Sequence, residues 1–144
     1  MRTHPLRAAL ALVLTLPACV VYDSDVATPA PTYANNPPYI DWADASCGWD
    51  GYVRDNVWVF EAGVSDWDGA GDIVTVVADV YDTWDGRWID GFELAWDPAY
   101  GTWYSDWLGS TTYLDCGYPS YVVDFTAFDR FNDADVVSIA PGYF

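Results

Sequence analysis

The apolar residues of this 144-residue chain recur with a period of two. In Val57–Val64, the residues Trp58, Phe60, Ala62 and Val64 share one face. From Ile73 to Tyr81, Val74, Val76, Ala78 and Val80 oppose Thr75 and Asp79. Trp88, Asp90, Phe92 and Leu94 alternate next, then Trp103, Ser105 and Trp107. Tyr121, Val123, Phe125 and Ala127 face one way, with Val122, Asp124, Thr126 and Phe128 on the other side. A last run, Val136 to Ala140, stops at Pro141. Side chains alternate faces along a strand, whereas a helix repeats every 3.6 residues, and no segment here shows a capped helical stripe. With Tyr39–Ala43 the pattern predicts about seven strands separated by turn-rich breaks. An all-β, antiparallel two-sheet sandwich is the natural way to bury such faces.

The N-terminus follows a different logic. Arg2, His4 and Arg7 precede the apolar run Ala8–Leu16. That run is too short to span a bilayer, which needs about 20 residues, and it suits a cleaved secretory leader. Leu16-Pro17-Ala18-Cys19 resembles the lipobox of bacterial lipoproteins. The resemblance implies that Cys19 is acylated and becomes the first mature residue, a membrane anchor through covalent lipid. Residues 1–18 are then a signal peptide. Val20, where an inner-membrane protein of this kind carries aspartate, implies the outer membrane. Residues 19–36, rich in Pro, Ala, Thr and Asp without apolar period, are expected to form a flexible tether. Pro37-Pro38 opens a single domain, 37–144.

Without the leader, 22 acidic residues face only Arg54, Arg87 and Arg130, a formal charge of about −19. Such a field disfavours nucleic acid and bare anionic lipid as partners. All but Glu61 and Glu93 of the acids are aspartate, a residue of turns and strand ends rather than helices. Once Cys19 is acylated, Cys47 and Cys116 remain as an even pair in an oxidising compartment. A disulfide closing that loop of about 70 residues stabilises by roughly 4 kcal/mol on the chain-entropy model. Two free buried thiols are the alternative.

Three stretches resemble bacterial immunoglobulin-like or cadherin-like modules. Asn36-Pro37-Pro38-Tyr39-Ile40 looks like their opening, and Phe60 to Gly69 (FEAGVSDWDG) like their second strand and its Asp-x-Asp-Gly turn. Tyr121 to Asp129 (YVVDFTAFD) looks like their sixth strand, with Tyr121 at the tyrosine-corner position. The resemblance implies an immunoglobulin-like sandwich over about residues 37–140, and adhesion or binding as its use.

Catalysis has little to draw on. The only histidine, His4, leaves with the leader, and there is no lysine. Ser-His-Asp, Cys-His and Schiff-base mechanisms are thereby excluded, and no enzymatic activity is expected. In an immunoglobulin-like sandwich the loops after the second and sixth strands share one end. Asp66, Asp68 and Asp72 would there meet Asp129, Asn132, Asp133 and Asp135, hard oxygens of the kind Ca²⁺ takes. Solvated turn aspartates are the competing reading. Trp-Asp-Gly recurs at 49–51, 67–69 and 84–86, with glycine expected to supply positive φ in turns. Trp67 and Trp84 at loop tips would stack on sugar rings or anchor a partner, or else fold back over the core. The expected function is a membrane-anchored, non-catalytic envelope lipoprotein. It would act as an interaction or structural module toward another envelope protein or a glycan. A calcium-dependent adhesive or carbohydrate-binding module is the alternative.

Overall fold

The computed structural model describes residues 34–144. The signal segment 1–18, the anchor Cys19 and most of the tether 19–36 lie outside the described residues. The strands are β1 (Tyr39–Asp50), β2 (Asp55–Ser65), β3 (Ile73–Asp82) and β4 (Trp88–Asp97). They continue with β5 (Thr102–Leu108), β6 (Tyr121–Asp129), β7 (Ala134–Ile139) and β8 (Gly142–Tyr143).

The fold is all-β, as the alternation predicts, but the strands number eight and form one continuous sheet. Its order is β7-β6-β3-β4-β5-β2-β1-β8. Separate sheets were expected, and β4 is the reason they are joined. Val76 to Tyr81 of β3 pair with Trp88 to Leu94, and beyond Leu94 the strand turns to β5, pairing Ala95 with Tyr104 and Asp97 with Thr102. A single strand hydrogen-bonded on different sides along its length makes the sheet curl into a half-barrel rather than divide. All pairings are antiparallel except β1 with β8. Curling brings β1 against β7, where the Ile40 amide donates to Asp135 Oδ2 at 2.9 Å.

Inside the curl lie Trp58, Phe60 and Ala62 of β2, Val76, Ala78 and Val80 of β3, and Val123, Phe125 and Ala127 of β6, all fully buried. Phe60 sits at the centre. Its ring stacks on Phe92 with centroids 4.7 Å apart and also neighbours Trp58 and Phe125. In β6 burial alternates at every residue, so the period-two reading is realised there without exception.

Elsewhere irregularities shift the phase. The pairing of β3 with β6 slips between Ile73 and Thr75. Ile73 is therefore buried, while Val74, expected on the core face, is exposed. An extra residue in one strand turns every earlier side chain to the opposite face. A similar slip lies between Ile40 and Trp42, and β1, paired with β2 without further interruption, runs to Asp50, well past the expected Ala43. At Gly63, paired with Trp42, the indole lies where a Cβ would stand, so only glycine admits the ring.

Aspartate turns close the strands. Asp66 Oδ1 accepts from the Asp68 amide, Asp82 Oδ1 from Trp84, Asp85 Oδ1 from Arg87 and Asp97 Oδ1 from Ala99, at 2.7–3.0 Å. Gly69 and Gly86 take positive φ, 112° and 69°, as the Trp-Asp-Gly triplets predict. The first triplet differs. Trp49 and Asp50 end β1, and Arg54 rather than Gly51 adopts positive φ, 57°.

Candidate metal centre

The β2–β3 and β6–β7 connections lie at one end because Ile73, opening β3, pairs with Asp129, closing β6. Within the first connection, Asp66, Asp68 and Asp72 each present a carboxylate oxygen, all within 4.8 Å of one another. Asp72 is buried in a 3₁₀ turn, Ala70–Asp72, and Asp66 is half-buried. Arg130 from the second connection pairs with Asp72, and its Nη2 donates to the Gly71 carbonyl at 2.9 Å. Its main-chain amide donates to the Asp72 carbonyl at 3.0 Å. One guanidinium thus answers three carboxylates. Like charges so close repel one another unless a cation or hydrogen bonds compensate them.

Asp129 is organised differently. It is 2% exposed, and its Oδ1 accepts from the amides of Phe131 and Asp133, each at 2.8 Å. The Asn35 side-chain amide donates to Asp129 Oδ2 and to Asp133 Oδ2. Burial opposes ionisation of Asp129. The hydrogen bonds from Asn35 and from the amides of Asp133 and Phe131 outweigh it, holding the carboxyl below its ordinary value. Asn132 takes φ 66°, which shapes the turn.

The two connections are stitched together by the segment before β1. Asn35 bridges Asp129 and Asp133, while the neighbouring Asn36 amide donates to Asp68 Oδ2 at 2.7 Å. Two buried oxygens at this end, Asn35 Oδ1 and Asp66 Oδ2, have no hydrogen-bond partner among the described residues. Buried oxygens without donors are costly and are commonly met by water or an ion. The structure therefore brings Asp66, Asp68 and Asp72 into one group, with Asp129 and Asp133 joined through Asn35. Asp135 belongs to neither, one of its oxygens being engaged by Ile40.

Asn35 and Asn36 were missed as site residues because their composition reads as tether. The signal available was two amides placed directly before Pro37-Pro38, which hold the chain extended.

Trp67 and Trp84 are 89% and 88% exposed, and neither covers the core. Trp67 stands at the acidic end, whereas Trp84 occupies the β3–β4 turn at the opposite end. No joint platform is formed. Trp67 instead borders a shallow hollow with Pro37, Pro38 and Tyr39.

No protein-family model matches the chain, and no significant match is found among curated proteins or solved structures.

Proposed function

We propose that this chain is a lipid-tethered, non-catalytic interaction module of immunoglobulin-like build that works outside the cytoplasm. The observation that carries the reading is the Cys47–Cys116 disulfide, with Cα atoms 5.7 Å apart. A disulfide in a small domain suggests an oxidising, extracytoplasmic setting. It also accounts for both domain cysteines, so that Cys19, behind its apolar leader, remains for acylation.

The strand order supports the immunoglobulin-like part. Neighbours β1-β2-β5-β4 and β3-β6-β7 follow the A-B-E-D and C-F-G pairings of a constant-type immunoglobulin domain. Tyr121, first residue of β6, accepts a hydrogen bond from the Asp115 amide at 3.1 Å, which is the upstream bond of a tyrosine corner. The departures are equally specific. The buried tryptophan, Trp58, stands on β2, and the disulfide ties β1 to the segment before β6.

A Cys19→Ser substitution tests the anchor. The exported protein is expected to move from the membrane pellet to the soluble extract and to lose its acyl mass by mass spectrometry. Retention of Cys19→Ser in the pellet without lipid would overturn it.

A second reading, a calcium-dependent module, is favoured by the Asp66, Asp68 and Asp72 group, in which the buried Asp66 Oδ2 has no hydrogen-bond partner among the described residues. Calcium takes 6–8 oxygens in flexible geometry, and the three carboxylates offer the chemistry for part of such a shell. A ligand at 100 times its Kd adds about 2.7 kcal/mol to stability. For a domain of about 100 residues each kcal/mol moves Tm by about 4–8 °C. Ca²⁺ at 100 times its Kd is expected to raise Tm by about 11–22 °C, and Asp66→Asn to abolish the rise. A Tm unchanged up to millimolar Ca²⁺ would exclude the site.

A further inference from the structure

At the end of the domain away from the acidic cluster lies an open groove of about 660 Å³. Its aromatic lining is Tyr113 and Tyr118, from the connection between β5 and β6, and Tyr121, which opens β6. Asp82, at the end of β3, and Asp115 add two carboxylates, and Arg87 one cation. We propose that this groove is a docking site for a basic side chain, lysine or arginine, of a positively charged protein partner. The proposal rests on the reading of the chain as an interaction module and deepens it by naming the partner's chemistry.

Charge decides the sign of what enters. Among the described residues the arginine–carboxylate pairs are Arg87 with Asp85 and Arg130 with Asp72. Asp82 and Asp115 are thus left without an ion-pair partner, while Arg87 is 69% exposed and held only loosely by Asp85, at 3.8 Å. The Tyr118 phenol reports the same negative field. Its hydroxyl donates to Asp82 Oδ2 at 2.9 Å, and that bond first, then burial and the Asp82 charge, holds it above the ordinary tyrosine value. The mature chain as a whole carries about −19, so a partner with several positive charges is attracted at long range.

The walls decide the kind of cation. A divalent metal needs several hard oxygens converging on one point. Among the described residues Asp66, Asp68 and Asp72 make such a group, and they lie at the opposite end. Here the carboxylates stand among rings instead. Tyr118 and Tyr121 form a corner, with centroids 4.8 Å apart and planes tilted by 59°, and Tyr113 is 84% exposed. Aromatic faces attract ammonium and guanidinium groups, and a basic side chain lays its apolar stem on such a surface while its head reaches a carboxylate.

The groove is held in shape by its own hydrogen bonds. Thr83 donates through its amide and hydroxyl to the Ser120 carbonyl, at 2.8 and 3.0 Å. The Tyr113 amide donates to Asp90 Oδ2 at 3.1 Å, and the Asp115 amide to Tyr121 Oη at 3.1 Å. A preformed site loses little conformational entropy on binding.

The test is calorimetric titration of the exported chain with tetralysine and with tetraarginine. Salt is kept at about 0.15 M, where exposed charges more than about 8 Å apart are largely screened. Tetralysine acetylated on its side chains is the uncharged comparison. At least one basic peptide is expected to bind, the tighter one identifying the side chain, and the acetylated peptide is not. Asp115→Asn and Tyr113→Ala, both on exposed residues, are expected to weaken binding about fivefold with Tm unchanged. Arg87→Ala removes a repelling charge and is expected to strengthen binding about twofold to threefold. Asp44→Asn, the same loss of charge on an exposed residue of β1, is expected to change affinity by less than about twofold. A chelator is expected to change nothing. Failure of both basic peptides to bind, equal binding of the acetylated one, or weaker binding by Arg87→Ala overturns the proposal. Equal losses in Asp44→Asn and Asp115→Asn overturn the groove while leaving an interaction module standing, and fractionation of Cys19→Ser reads the anchor separately.

Discussion

Replacing both Cys47 and Cys116 with alanine is expected to lower unfolding stability by about 4 kcal/mol on the chain-entropy model. The bridge spans 69 positions in sequence, and long loops gain most from closure because the reduced unfolded chain has more freedom to lose. Cys47 is fully buried in β1 and Cys116 is packed against the core, so alanine also leaves small voids. The bridge joins two places the sheet alone does not hydrogen-bond together, β1 and the connection before β6. Urea denaturation of wild type and double variant should show a large drop in midpoint with little change when reductant is added to the variant. Equal midpoints for oxidised wild type and variant would show that the bridge contributes no stability.

Phe60→Ala should cost a similar amount, about 3–5 kcal/mol, by a different route. Phe60 has no exposed surface, and its ring is flanked by Phe92, Trp58 and Phe125. It lies where strands from both halves of the curled sheet converge, so a cavity there cannot collapse by moving one strand alone. Trp67→Ala provides the contrast. Although larger in side chain, Trp67 is 89% exposed, and its removal is expected to stay within about 0.5 kcal/mol. Thermal melts of the two variants would distinguish them, and a small effect of Phe60→Ala would mean that the core centre is misplaced.

The residues most easily read were those whose burial follows from alternation alone. Tyr121, Val123, Phe125 and Ala127 fall on the buried face of β6, and Trp58, Phe60 and Ala62 on that of β2. Val74 was misjudged because a bulge is a local choice of backbone pairing, and the neighbouring residues carry no composition that marks it. The two-residue strand β8 was invisible because Gly142 and Tyr143 have too few residues to show a period. Their pairing with Ser46 and Cys47 depends on where β1 happens to lie.

The acidic end was legible as two groups of aspartates, since Asp is read from sequence as a turn residue. Which of them meet was not. Asp66, Asp68 and Asp72 gather because their loop turns tightly through Gly69 and the Ala70–Asp72 turn, while Asp135 is drawn away to the Ile40 amide. Asn35 lies 94 positions from Asp129, beyond the reach of any local pattern.

By itself, then, the sequence determined the all-β class, the faces of the regular strands, the acidic balance and the cysteines available for pairing. These follow from alternation, composition and chemistry within a few residues of each position. Only the tertiary structure decided that β4 would join the strands into one curled sheet, and that Asn35 would bridge Asp129 and Asp133. Each of those outcomes is a contact between residues distant in the chain. Its existence rests on how strands register and where bulges shift them, which only the folded sheet specifies.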